Sequence, residues 1–429
     1  MAVDVAQKHQ SRNFWLGVIS GVAYNLYLSV ANTGLVLTWF ISELTHSNFL
    51  ISLLLPIEQG GWHLPQLLLS GYLQRLSHTL PLYRLMGVVR SVAWGLLAFS
   101  VFLLDDPQAI LIVFFALFAV NGLAAGVAGL PFMDVLAKTV PPTRRGAFFG
   151  WRRLIGGLLG LVGGALVKIV LAPDFGLTFP RNYAFLFFLA FLSVTAMVIF
   201  FSLVVEPPEK EVNPQRVKLG EQLRRAARLP LSHRSYGNFV ILRLFIIAAN
   251  YALPFYAVYA RRVLNAPEGM VGIYLIGTTL SGILSNMLWS RISDRHGNCL
   301  LMRLTALTAL LAPIVALIIA RLPETGFNRS LLFVSVFILS GTHQTAAFIG
   351  SANYLLELAP ADKRAIYIGF TNTIIGLAIF TSPLGGAIVD WLGFEPLFTF
   401  SLVCSLIAVL FALGLEEPRK LSLHKGESH

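Results

Sequence analysis

Apolar runs long enough to cross a bilayer recur twelve times along this chain, and few charges interrupt them. A spanning helix needs about 20 mostly apolar residues, because hydrocarbon offers its backbone no outside hydrogen-bond partner. The runs lie at 14–42, 48–71, 82–104, 109–136, 147–171, 183–205, 237–260, 267–290, 299–320, 330–356, 365–388 and 395–415. Only 12% of residues are charged while 56% are hydrophobic, too few polar groups to coat a soluble globule. An all-α membrane protein with twelve transmembrane helices is the fold expected. The first run follows thirteen residues, is too long for a signal-peptide core and lacks a small-residue cleavage site, so it reads as a retained span. Cys299 and Cys404 are far apart, without metal-ligand spacing, and read as inert thiols.

The net charge of +11 is distributed by loop. Lys8, Arg75, Lys138, Arg144, Arg145, the cluster from Lys210 to Arg234, Arg291, Arg295, Lys363, Arg364 and Arg419 all fall in alternate segments. The opposite loops hold only Arg181, Arg261, Arg262, Arg321 and Arg329. That asymmetry is the positive-inside pattern. It predicts a multi-pass plasma (inner) membrane protein with both termini cytoplasmic, and it accounts for the charge without nucleic acid.

The one long polar stretch, 206–236, separates residues 1–205 from 237–429 and contains QRVKLGEQLRRAARL. Its apolar and basic faces alternate at helical spacing, which predicts a helix on the anionic lipids of the cytoplasmic face. The two flanks repeat. Adding 219 takes Pro141, Arg145 and Gly150 to Pro360, Arg364 and Gly369. It also takes Asp134 to Asn353, Gly157 to Gly376 and Arg84 to Arg303. Two six-helix halves, with a cavity near the midplane, suit alternating access.

The loop after the eighth run reads SRISDRHGN from Ser290, and the same offset joins it to GYLQRLSH from Gly71. With the twelve spans, the central linker and the repeat, this resembles the major facilitator superfamily, whose signature is Gly-x-x-x-Asp-Arg-x-Gly in these loops. The later copy has Asp294, Arg295 and Gly297 in place but Ser290 at the first glycine. The earlier copy keeps Gly71 and has Arg75, Leu76 and His78 at the acid, arginine and second glycine. The resemblance implies a secondary transporter, a monomer, whose signature loops gate the cytoplasmic side. Asp294 is then expected beside Arg144 and Arg145, and Arg75 beside Asp362.

Ionisable groups deep in spans are functional candidates. Glu58 lies about ten residues from either end of the second run, roughly 15 Å deep at 1.5 Å per residue. A carboxylate at that depth needs a proton or a cation. It heads a helical face of Glu58, Gln59, Trp62, His63 and Gln66, bracketed by Pro56 and Pro65. Complementary groups are Asn25, Ser29 and Asn32 in span one, Arg152 and Arg153 in span five, Arg243 and Asn250 in span seven, and His343 in span ten. One of the adjacent arginines is expected on Asp134; the other, with Arg243, would make an electropositive cleft for a carboxylate or phosphate. Arg90, Lys168 and Arg303 read as structural or snorkelling groups.

Glycines from Gly156 to Gly164 predict close helix approach in span five. The drug antiporters of the family carry a proline in that glycine pattern and an arginine before a Gln-Gly pair in span four. Here the proline is missing, and Phe118 precedes Asn121-Gly122. A multidrug or cation/proton antiporter and a lipid or lysolipid translocator remain the alternatives to a proton-coupled carrier of a small anionic solute. With no G-x-S-x-G, H-E-x-x-H or phosphate loop, and no metal or cofactor motif, the chain does not read as an enzyme.

Overall fold

The computed structural model describes residues 9–63, 65, 76–207, 234–323, 328–360 and 364–419. The expected interfacial helix, Gln66, Arg75 and Asp362 lie outside the described residues. Among those described, eleven helices are long and apolar enough to cross a membrane: Gln10–Leu44, Leu80–Leu103, Pro107–Thr139, Thr143–Val170, Arg181–Ser202, Arg234–Arg262, Met270–His296, Asn298–Ala320, Arg329–Leu358, Ile366–Leu392 and Phe394–Leu413. The expected second span is described as Asn48–Ser52 and a wide turn over Pro56–Gly60. The twelve-helix, all-α fold expected from the apolar runs is the one observed. On the third helix Leu85, Val88, Val92, Leu96, Phe99 and Leu103 form one stripe at helical spacing, and all are exposed. Such a stripe is stable against lipid, not water.

The chain divides into two compact units. The first holds residues 1–46, 53–217 and 267–276, the second 47–52, 218–266 and 277–429. Each repeats the other internally. In the first unit, the third helix packs on the fourth and sixth, and the first packs on the fifth and sixth. In the second unit, the ninth packs on the tenth and twelfth, and the seventh on the eleventh and twelfth. Offsetting Leu80–Leu103 by 219 gives 299–322, where the helix Asn298–Ala320 is found.

The repeat extends to individual hydrogen bonds. Glu206, just past the sixth helix, accepts the backbone N–H groups of Thr79 and Leu80 at 2.9 Å each. These are orphan donors at the start of the third helix, where a carboxylate is also favoured by the helix dipole. Glu417, past the twelfth helix, accepts the N–H of Cys299 at 3.0 Å, and position 299 is the repeat mate of 80. Arg84 donates to the carbonyl of Ser202 at 2.6 Å, and its mate Arg303 donates to that of Leu415 at 2.9 Å. Each half therefore ties the start of its third helix to the end of its sixth. Arg303 is a span-end residue as expected, but it is tied to carbonyls.

Asp134 is not held by either arginine of the fifth helix as expected. Lys138, one turn further on, takes it at 2.7 Å, and Thr79 Oγ1 donates to it at 2.7 Å. An i,i+4 lysine on the same helix reaches the carboxylate without bending a second helix towards it. Lys138 also reaches Glu206 at 3.2 Å. Glu206→Ala should strip two backbone donors of their acceptor and leave Lys138 with Asp134 alone. At about 1.5–3 kcal/mol for a hydrogen bond to a charged group, the thermal midpoint in detergent should fall clearly. Glu417→Ala should lower it less, and equal or absent effects would show that neither carboxylate holds its helix start.

Small residues set the close approaches. A Cβ at Gly156 or Gly163 would collide with Asn25 or Ser29 of the first helix. A Cβ at Gly122 or Gly126 would strike the carbonyls of Ile57 or Gly61. The glycine run of the fifth helix is therefore a packing seam, as predicted.

Candidate functional site

Pro56 begins a turn wound to five residues, because it has no N–H and its ring crowds the preceding turn. The wide turn carries Glu58 and re-enters regular helix at Gly61, whose N–H reaches the carbonyls of Ile57 and Glu58. The stripe predicted as one straight helical face is re-aimed by this turn. Glu58 and His63 are half-buried, Gln59 is exposed, and Trp62 points its ring into a cavity.

That cavity, of about 90 Å³, lies inside the first unit and takes side chains from six helices. Its lining is Ser20 and Tyr24 (first), Trp62 (second), Tyr83 and Arg90 (third), Ala125, Ala128, Gly129 and Phe132 (fourth), Arg152 (fifth) and Met197 (sixth). Two guanidiniums share it. Neither has a carboxylate partner among the described residues.

Each arginine is fixed from behind. Arg90 is only 6% exposed and donates its Nε to Asn121 Oδ1 at 3.2 Å. The same Asn121 oxygen accepts Trp94 Nε1 at 3.2 Å, and its amide nitrogen donates to the Tyr27 hydroxyl at 3.4 Å. The Arg90 guanidinium also stands 5.6 Å from the centre of the Tyr27 ring. Arg152 donates to the Gly17 carbonyl at 2.7 Å and lies 5.0 Å from the Phe132 ring and 5.4 Å from the Phe148 ring. Gly21 leaves room for it, since a Cβ there would collide with the guanidinium. Cation–π contacts ease the burial of a charge but do not neutralise it.

The structure thus places Arg90 inside the site, against its reading as a structural residue on a peripheral helix. The missed signal was periodicity: Arg90, Trp94, Leu97 and Val101 form the buried stripe opposite the lipid-facing one. Tyr24 and Tyr83 were also missed. Glu58 does not line the cavity, but its charge and those of Arg90 and Arg152 all act on Tyr24. It forms no ion pair with a described residue.

Of the span-one polar groups, Asn25 donates to the Gly21 carbonyl and Ser29 to that of Asn25, so both turn back onto their own helix. Asn32 ends that helix, and its carbonyl accepts from Leu35 and Leu37 at the start of a second wide turn, Thr33–Leu37.

In the second unit Asn250 and His343 come together around a smaller cavity of about 20 Å³ with Tyr256, Thr308, Ser340 and Ser401. A space of that size holds about one water. His343 Nδ1 lies 3.2 Å from both the carbonyl of Thr305 and the hydroxyl of Thr308. Its Nε2 is buried without a partner among the described residues. Arg243 does not line this cavity; it donates to Ser351 Oγ at 2.7 Å, and its Nε is buried unpaired.

Of the expected gating residues, Arg145 donates to the carbonyls of Val140 and Ala137, and Arg144 lies over the Phe14 ring at 5.1 Å. Asp294 and Arg295 are exposed at the end of the eighth helix, where the Asp294 carbonyl accepts from Arg419. Arg419 also holds Glu357 at 2.8 Å, and that contact raises its affinity for its proton.

Bundled apolar helices, a lipid-facing stripe and a cavity lined by six helices, mostly apolar with two arginines, define a multi-pass membrane protein with a cavity in its first unit. The family model of the Major Facilitator Superfamily matches residues 239–428. No curated protein matches the chain. Among solved structures, a D-xylose-proton symporter is 14% identical with a TM-score of 0.68, covering 95% of this chain and 98% of its own. The inward-open xylose transporter XylE from E. coli gives 14% and 0.66, covering 93% and 95%. The nucleoside transporter NupG gives 14% and 0.60, covering 94% and 97%. The family match covers the second half of the chain and the solved structures share its fold along nearly all of it, so the chain is similar to this superfamily of membrane transporters.

Proposed function

We propose that the protein is a secondary active transporter that carries a small organic anion by alternating access, driven by protons. It would act as a monomer in the inner membrane with both termini cytoplasmic and basic loops on anionic lipid. One observation carries the anion: Arg90 and Arg152 line the same buried cavity, and neither has a carboxylate partner among the described residues. Two unneutralised guanidiniums repel each other and are costly to desolvate. A carboxylate bridging them removes both penalties and matches their fork of donors. A cationic drug would add a third positive charge, which disfavours the efflux alternative. Proton coupling is supported by Glu58, a carboxylate on the wide turn with no ion pair among the described residues, and by the likeness in fold to a D-xylose-proton symporter.

The test is uptake by purified protein in proteoliposomes. Organic anions should accumulate when the outer solution is made acidic, and a protonophore should abolish the accumulation. Accumulation of cations in place of anions would overturn the assignment, and indifference to the gradient would remove the proton from it.

A further inference from the structure

We infer that the solute is an aromatic carboxylate of single-ring size, held edge-on by Arg90 and Arg152 and stacked in the slot beside Trp62. This rests on the reading of the cavity as an anion site and adds the shape of what fills it. Both guanidiniums are anchored through one edge, Arg90 by Asn121 and Arg152 by the Gly17 carbonyl, so their orientation towards the cavity is fixed before a ligand arrives. The charge of the solute is therefore localised at one end of the site. The remaining wall is not suited to a polyhydroxylated body, because four rings stand around it: Tyr24, Trp62, Tyr83 and Phe132.

Part of the wall is flat for a sequence reason. Ala125, Ala128 and Gly129 sit at i, i+3 and i+4 of the fourth helix, so they share one face and carry no side chain beyond a methyl. Phe132, one turn beyond Gly129, shares that face, so small residues and rings line the site together, and a planar ring packs against such a wall better than a puckered one. Ring stacking adds a preference beyond the area buried. The volume of about 90 Å³ limits the body to one ring, well below what a nucleotide or a fused-ring acid needs. Among the described residues Ser20, the two tyrosine hydroxyls and the Trp62 indole N–H supply neutral polar groups to the lining, which would tolerate a ring hydroxyl.

The experiment is calorimetric titration of the full-length protein in detergent with benzoate, cyclohexanecarboxylate, 1-naphthoate, acetate and phosphate. Benzoate should bind about three- to tenfold tighter than cyclohexanecarboxylate, the ratio given by the usual worth of an aromatic pair. Naphthoate should bind more weakly than benzoate. Trp62→Leu should bring benzoate and cyclohexanecarboxylate level while leaving both bound. Trp62 is 38% exposed, so the substitution removes little core. Should that variant nonetheless fail to fold, the wild-type ratio alone still decides. Equal or inverted affinities for benzoate and cyclohexanecarboxylate would overturn the aromatic inference. Binding of phosphate or acetate alone would overturn it too, while leaving the anion reading intact. Binding of none of these anions, with organic cations binding in their place, would sink both.

Discussion

Replacing either Arg90 or Arg152 with glutamine is expected to weaken binding of the organic anion by about ten- to a hundredfold. The estimate follows from hydrogen bonds to charged groups, worth about 1.5–3 kcal/mol each, at 1.4 kcal/mol per tenfold. Glutamine keeps a donor but loses the charge and the fork. Lysine keeps the charge and loses the fork, so Arg152→Lys should recover only part of the affinity. The effects should not add in the double variant, because both groups grip one ligand and the second loss falls on a site already weakened.

A structural role makes a different prediction. If Arg90 served only to pair Asn121, or Arg152 only to pack against Phe132 and Phe148, then removing it would lower the thermal midpoint of the empty protein. If the two cations await an anion, removing one relieves their repulsion, and the midpoint without ligand should hold or rise. Stabilisation by saturating anion should meanwhile shrink. A lower midpoint together with unchanged anion affinity would return both arginines to a purely structural role.

Residues with a periodic partner were read correctly from the chain, and residues whose partner depends on rotation about a helix axis were not. The glycines of the fifth span were legible as a seam, because close approach in lipid demands small residues whatever sits opposite. The wide turn at Pro56 was not legible, because a proline loosens a helix without fixing how the next turn winds. Asn250 and His343 were both singled out as cavity-facing, and they share the small cavity of the second unit. Arg90 was misread because depth and helix number were weighed without its face. The third helix buries Arg90 on the side away from Leu85, Val88, Val92, Leu96 and Phe99, so the stripe itself pointed to it. Asp134 was assigned to a distant arginine although Lys138 stood one turn away, and a local pair forms at lower entropic cost. The tie between Glu206 and the start of the third helix had no such signal. It joins residues 127 positions apart through backbone groups that carry no sequence identity.

Glu58→Gln is expected to abolish accumulation driven by a pH gradient while leaving exchange of solute across the membrane at equilibrium in place. Glu58 sits on the wide turn one helical turn before Trp62, and its field reaches Tyr24 together with those of both arginines. While Glu58 is ionised it partly cancels the positive potential that attracts an anion. Once it takes a proton, that cancellation ends and the anion binds more tightly. By linkage, a bound anion must favour the proton by the same factor, and couplings of this kind are worth about 1–3 kcal/mol, or 5- to 150-fold. Solute and proton then enter and leave as a pair, which is symport. Glutamine mimics the protonated carboxyl permanently. The variant should therefore bind the anion at least as tightly as the wild type, with an affinity that no longer falls as the pH is raised. Arg90→Gln and Arg152→Gln lose affinity instead, so the two kinds of variant separate the coupling group from the binding groups. A Glu58→Gln protein that still concentrates solute against its gradient when the outside is acidified would show the carboxylate to be structural, and the proton would have to be carried elsewhere. The first candidate would then be His343, whose Nε2 is buried without a partner among the described residues.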